Sequence, residues 1–271
     1  MVQQQLQHLF DRMEMGHSVF SFDGSPLIDL AKDNGIDTMD RLAQLIYKDA
    51  YVKGIPETLV TSPDVADHPV LEPEAFLKSL KDQLSNPTRI EHDYNGVFFQ
   101  LFSTGSYAFA GEKLVRFYLN VSAQGTPELV GKLSALFAER QLPYTFKCSG
   151  RPDLYAERCD VALVYVPQRF ADVTFRYLEE LLPFIQLRAS IPLFVHPLQP
   201  GFGFAENPVN DQMSFGMNIC RLLAQNLMNC IGRNIPQAEW ITPVLENLKR
   251  RGYDTKALFR NPSTCFLYEF I

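Results

Sequence analysis

Apolar and polar positions alternate most clearly in LVRFYLNVS, which begins at Leu114. Val115, Phe117, Leu119 and Val121 fall on one side of a strand and Arg116, Tyr118 and Asn120 on the other, because side chains alternate along extended backbone. PYTFKCSG, CDVALVYVP and IPLFVHPL also read as strands. The predicted strands therefore cover residues 114–121, 143–148, 160–166 and 191–198 and belong to one sheet. Upstream, GVFFQLFSTGSYAFAGEK reads as hairpin-linked strands broken at STGS and AGEK. TPELVGKLSALFAERQ and ADVTFRYLEELLPFIQLR read as helices. Thr126 is the expected cap of the first, with Pro127 at its first helical position. The order strand, helix, strand, strand, helix, strand is the split βαβ pattern. The predicted fold class is α+β: a split βαβ-like mixed sheet with helices on one face, flanked by N- and C-terminal helical regions.

Residues 1–87 form the first expected region, mainly helical. QLQHLFDRME and TMDRLAQLIYKDAYVKG carry helical spacing, Thr38 is a candidate cap, and a further helix starts near Pro73. Residues 88–271 are expected to form one α+β domain. Its C-terminal part contains MSFGMNICRLLAQNLMNCIG, capped by Ser214, and IPQAEWITPVLENLKRRG. Between the last strand and these helices lies PGFGFAENP. Gly201 and Gly203 are expected to permit a sharp reversal there; no Gly-Lys-Ser/Thr follows, so this is no phosphate loop.

Composition narrows the function. Hydrophobic residues are 46% and charged residues 21%, the balance of a globular protein. A formal net charge of -6 argues against nucleic acid and anionic membranes as partners. No stretch approaches the roughly 20 apolar residues of a membrane span. The start, MVQQQLQHLFDRMEMG, is amphipathic rather than a signal peptide, so a cytoplasmic protein is expected. The five cysteines are odd in number and lack metal-knuckle spacing, which predicts free thiols. His8, His17, His68 and His92 show no ligand spacing, and no metal or other cofactor is expected. No nucleophile elbow, kinase signature or dinucleotide fingerprint occurs.

The candidate chemistry lies on the polar side of the strands. With helices over Phe117, Arg116, Tyr118 and Asn120 project from the open face, and alternation in YTFKC puts Lys147 there too. Either the face is simply wet, or two cations on adjacent strands hold an anion between them. Arg221 points into a site or into solvent. Arg158 and Asp160 invite a local ion pair. A lone histidine such as His196, between two prolines, is more often structural than catalytic.

Several stretches together resemble the HopA family of type III secretion effectors: RFYLNVS followed by GTPELVGKLSALFAERQLPYTFKC, then YAERCDVALVYV, IPLFVHPLQPGFGFAENP and SFGMNICRLLAQNL. The resemblance runs from about Gly96 to the C-terminus. It departs from the family pattern at Val195 and His196, where a basic residue or threonine is usual, and near Ile219, where a second cation is. It implies one of two functions. Relatives in ribosomal peptide pathways, such as those of class V lanthipeptides and thioamitides, resemble lyases that eliminate phosphate from phosphoserine or phosphothreonine in a precursor peptide. They do so after a kinase-like protein has phosphorylated it, and a cyclase is a further expected partner. Other members resemble secreted, non-catalytic effectors that bind host components; that reading implies a protein partner, or a scaffold role, and export through a type III system. Under the lyase reading Lys147 is the expected base, Arg116, Arg158 and Arg221 bind phosphate, Tyr118 or Asn120 orients the peptide, and His196 donates a proton.

Overall fold

The structure is a computed structural model and describes residues 1–15, 19–22, 25–29, 36–54, 72–84, 90–103, 109, 111–208, 213–262 and 264–271. The chain opens with α1 (Val2–Asp11), then β1 (Met13–Met15), β2 (Val19–Phe22), β3 (Ser25–Asp29) and α2 (Ile36–Ile46), which runs into a π-helical turn at Tyr47–Tyr51. Next come α3 (Pro73–Asp82), β4 (Ile90–Tyr94), β5 (Phe98–Ser103), β6 (Leu114–Leu119) and α4 (Gly125–Arg140). β7 (Thr145–Ser149), the short α5 (Leu154–Glu157), β8 (Ala162–Pro167), α6 (Ala171–Leu181), β9 (His196–Gln199) and β10 (Phe202–Glu206) follow. The last helices are α7 (Phe215–Gly232) and α8 (Ile241–Arg250).

These elements fall into two compact units that interleave along the chain. One joins Met1–Lys53 to Pro192–Val195 and Pro208–Cys265; the other comprises Gly54–Ile191, His196–Asn207 and Phe266–Ile271. The change of texture near residue 87 is thus not where the contacts divide.

The first unit is helical with a small antiparallel sheet, β1-β2-β3, which the helical pattern of residues 1–87 did not suggest. Thr38 lies inside α2, not at its cap. Ser214 does cap α7, accepting from the Met217 N–H at 3.2 Å. Tyr47 and Tyr51 stack at 5.3 Å, and Gly216 gives them room: a Cβ there would fall 2.3 Å from the Tyr51 ring.

The second unit holds a seven-stranded sheet in the order β4-β5-β7-β8-β6-β10-β9. β8 lies between β6 and β7 and is antiparallel to both. That is the split βαβ expected from the order of elements, with α4 as the crossover. Every ladder is antiparallel, so the sheet is not mixed. α6 covers one face: its Phe175 stacks on Phe202 at 6.1 Å and on Phe270 at 4.5 Å, and Phe270 lies 5.8 Å from Phe117.

Three boundaries moved for physical reasons. α4 starts at Gly125, so Thr126 is in its first turn, where its hydroxyl donates to the Ser122 carbonyl at 2.8 Å. α6 stops at Leu181 and one 3-10 turn holds Pro183, because proline cannot continue a helix. The strand expected at 191–198 forms only over His196–Gln199, and part of the expected loop is β10. Gly201, at φ 72°, makes the reversal between β9 and β10 rather than between strand and helix. A Cβ there would meet the Arg188 carbonyl oxygen at 2.2 Å.

Among the described residues no helix is long and apolar enough to cross a membrane. The five cysteines carry free thiols, four of them buried, and burial pushes the Cys148 thiol up to about 12.

Candidate functional site

Register fixes which side chains share the face opposite α6. Residues directly opposite on paired strands project from the same face. One row across the sheet runs Asp93, Gln100, Lys147, Leu163, Tyr118 and Gly203. The neighbouring row runs Glu91, Phe102, Thr145, Tyr165, Arg116 and Ala205. Arg116, Tyr118 and Lys147 therefore do lie on one face. Lys147 and Tyr118 stand two strands apart, about 10 Å between backbones at the usual strand spacing, with Leu163 between them.

The face is not open over β6. Arg116 is 4% exposed, and Tyr118 and Asn120 1% each. A buried guanidinium must find acceptors. Arg116 donates to Asn207 Oδ1 and lies over the Tyr165 ring, 5.0 Å from its centroid. Asn120 is fully engaged. Its Nδ2 donates to the Ser190 carbonyl at 2.8 Å and Oγ at 3.2 Å, and its Oδ1 accepts from Arg188 at 2.7 Å.

Lys147 is different. It is half-buried, and its ammonium sits 3.5 Å from the centroid of the Phe98 ring. Among the described residues it has no hydrogen bond and no ion pair. Burial lowers its pKa below the ordinary lysine value. Arg116 and Arg158 lower it further, while Asp160 acts in the opposite direction. Arg116, Arg158 and Asp160 thus lie close enough to Lys147 to bias its charge.

Arg158 grips Asp160 as a fork, with Nε to Oδ1 at 2.8 Å and Nη2 to Oδ2 at 2.9 Å. The local ion pair suggested by their spacing is present. The guanidinium thus holds a planar carboxylate by two bonds. Arg188 was not singled out by sequence reasoning. Its Nη2 donates both to Asn120 Oδ1 and to the Arg158 carbonyl, each at 2.7 Å. It ties the end of β6 to the loop that carries the fork. Its position depends on the chain running back beside Val121, which bridges to Leu187, and no local sequence pattern announces that.

Two candidates are not in this group. His196 pairs with Phe204, which is opposite Phe117, so it projects from the α6 face of an edge strand. Arg221 belongs to the other unit, where its Nε pairs with Asp40 at 3.1 Å. Among the described residues no group of three or more histidine, cysteine or acidic side chains is placed to hold a metal ion.

The chain matches a known class of proteins. Residues 91–260, more than half of the chain, match the HopA1 effector protein family, and the chain belongs to that family. Two solved structures are similar in fold. The effector protein from Pseudomonas syringae pv. syringae strain 61 is 15% identical with a TM-score of 0.55, over 82% of this chain and 95% of that one. The effector protein from Pseudomonas syringae pv. tomato strain DC3000 is 17% identical with a TM-score of 0.56, over 84% of this chain and 91% of that one. No curated protein matches the chain.

Proposed function

We propose that this HopA1-family protein is a lyase that eliminates phosphate from phosphoserine or phosphothreonine in a peptide, with Lys147 as the base. The observation that carries the proposal is the state of that lysine. Its amine is half-buried and without ion pair or hydrogen bond among the described residues, and burial and two arginines favour the neutral form. A neutral amine is what removal of a Cα proton requires. The C–H electron pair forms the Cα–Cβ double bond, the Cβ–O bond breaks, and phosphate leaves with that bond's electrons. The product is dehydroalanine or dehydrobutyrine, and no water is consumed. Arg158 supplies the fork for the phosphate, whose oxygens replace those of Asp160. Arg116, already engaged by Asn207, acts through its charge, on Lys147 and on the departing anion. Arg188 and Asn120 hold the Arg158 loop in place. Tyr118 and His196 have no part in this mechanism.

The test is to incubate the purified protein with a peptide carrying phosphoserine or phosphothreonine and follow loss of phosphoric acid by mass spectrometry. Elimination by the wild type and none by Lys147→Ala is the expected result. A second reading, non-catalytic binding of a protein partner, is favoured by the burial of Arg116, Tyr118 and Asn120, which limits what a substrate can touch. It predicts that the wild type eliminates nothing from its cognate phosphopeptide.

A further inference from the structure

Phe98 and Lys147 stand on neighbouring strands. Lys147 is directly opposite Gln100, and Phe98 lies two residues before Gln100 on β5, so both side chains project from the same face. The ammonium lies 3.5 Å from the ring centroid, well inside the roughly 6 Å over which a ring face attracts a cation. Among the described residues this is the one specific contact that holds the amine. We propose that Phe98 is a positioning residue for Lys147: its ring seats the ε-amino group and sets the pH at which that group gives up its proton.

The other groups around the amine are few. On β6 they are Arg116 and Tyr118; on β8, Tyr165; before β8, Arg158 and Asp160. On β4, Asp93 occupies the same cross-strand row, and β5 presents only Phe98, Gln100 and Phe102. Its own strand adds Thr145 and Ser149. Burial and the two arginines oppose the charge, whereas Asp160 and the ring favour it. The ring is therefore a counterweight. It holds the pKa of the lysine up against burial and the arginines, and it can be altered without changing any formal charge. Its catalytic meaning rests on Lys147 being the base, but the contact itself does not.

The experiment reads Lys147 directly. The full-length protein is labelled with an amine-reactive acylating reagent across a pH series, and the Lys147 peptide is quantified by mass spectrometry. Phe98 is replaced by leucine, by tyrosine and by a trifluorinated phenylalanine. The last keeps the shape of the ring but drains its electron-rich face, so it tests the contact even if the leucine variant fails to fold. The labelling midpoint should fall by about 0.4–1.5 pH units in the leucine and fluorinated variants and stay near wild type with tyrosine. An unchanged or raised midpoint in the fluorinated variant overturns the inference. If the midpoint falls as expected but the wild type eliminates no phosphate, the lyase proposal fails and the seat of Lys147 stands. If elimination depends on Lys147 but the midpoint ignores the ring, the inference fails alone.

Discussion

Arg116 and Lys147 are cations on the same face of the same sheet, yet their surroundings are opposite. Arg116 is 4% exposed, donates to Asn207 and covers the Tyr165 ring. Lys147 is half-buried, and Phe98 is its one specific contact among the described residues. The first arrangement is how a fold tolerates a buried charge, by giving it acceptors and a ring. The second has a ring but, among the described residues, no hydrogen-bond acceptor. A lysine placed where burial and neighbouring arginines press it to lose its proton costs stability and makes a base available, which is why perturbed groups cluster at functional sites. Under the proposed lyase chemistry, Lys147 is the reagent and Arg116 a fixed part of its field.

Mutating each should therefore break a different property. Lys147→Ala should lower the rate of phosphate elimination by about 10²–10⁴, the usual share of a general base, while the denaturation midpoint stays close to wild type. Rate assays paired with urea melts read both numbers, and a stable variant with undiminished elimination removes Lys147 as base. Arg116→Met should show the reverse order of effects. It removes the hydrogen bond from the guanidinium to the half-buried Asn207 side-chain carbonyl and should cost about 2 kcal/mol of stability. It should also raise the labelling midpoint of Lys147, because a repelling charge is gone. A stability equal to wild type would erase the distinction between the two cations.

The shared face of the two cations was legible in the sequence; the contrast between them was not. Alternation in LVRFYLNVS and YTFKC placed Arg116 and Lys147 on one face, and the order of elements gave the split crossover between β6 and β7. Alternation says which face a side chain takes but not what covers it, so the burial of Arg116, Tyr118 and Asn120 was out of reach. His196 fell on the other face because register with β10 decides it, and β10 looked like a glycine-rich loop. The small N-terminal sheet was missed, although Asp23-Gly24 is a hairpin signal between short apolar runs. Phe98 and Arg188 act through partners distant in sequence, and no spacing rule reaches across those gaps.

Arg188 sharpens the comparison from a third position. Like Arg116 it is anchored by hydrogen bonds to neighbouring acceptors, with one nitrogen shared between Asn120 and the Arg158 carbonyl. Arg188→Lys keeps the charge but cannot reproduce the shared donation with the same geometry. It should cost about 1 kcal/mol in a urea melt. The labelling midpoint of Lys147 should stay within a few tenths of a unit, because Arg188 is not among the groups that bias it. A large shift would mean that the Arg158 loop moves when its tie is lost, and that the fork and the base are one coupled unit.

The smallest effect concerns stability against pH. The pKa of Lys147 is lowered in the folded chain, first by burial and then by Arg116 and Arg158. The unfolded chain keeps a value near about 10.4. Between the two values the unfolded state binds more protons, so the stability of the wild type rises with pH across that window. Below the folded value the lysine is charged in both states and its full cost is present; above the unfolded value it is neutral in both and the cost is gone. Lys147→Met removes the charge while keeping a long apolar stem over Phe98. At neutral pH the variant should be the more stable protein, by less than about 1 kcal/mol because the amine is only half-buried and solvent screens it. That advantage should shrink as pH rises through the window and level off near pH ~10.5. Urea melts of the two proteins at matched pH values measure the difference. A gap that stays constant with pH would locate the effect in packing rather than in charge, and one that widens with pH would reverse the sign of the shift assigned to Lys147.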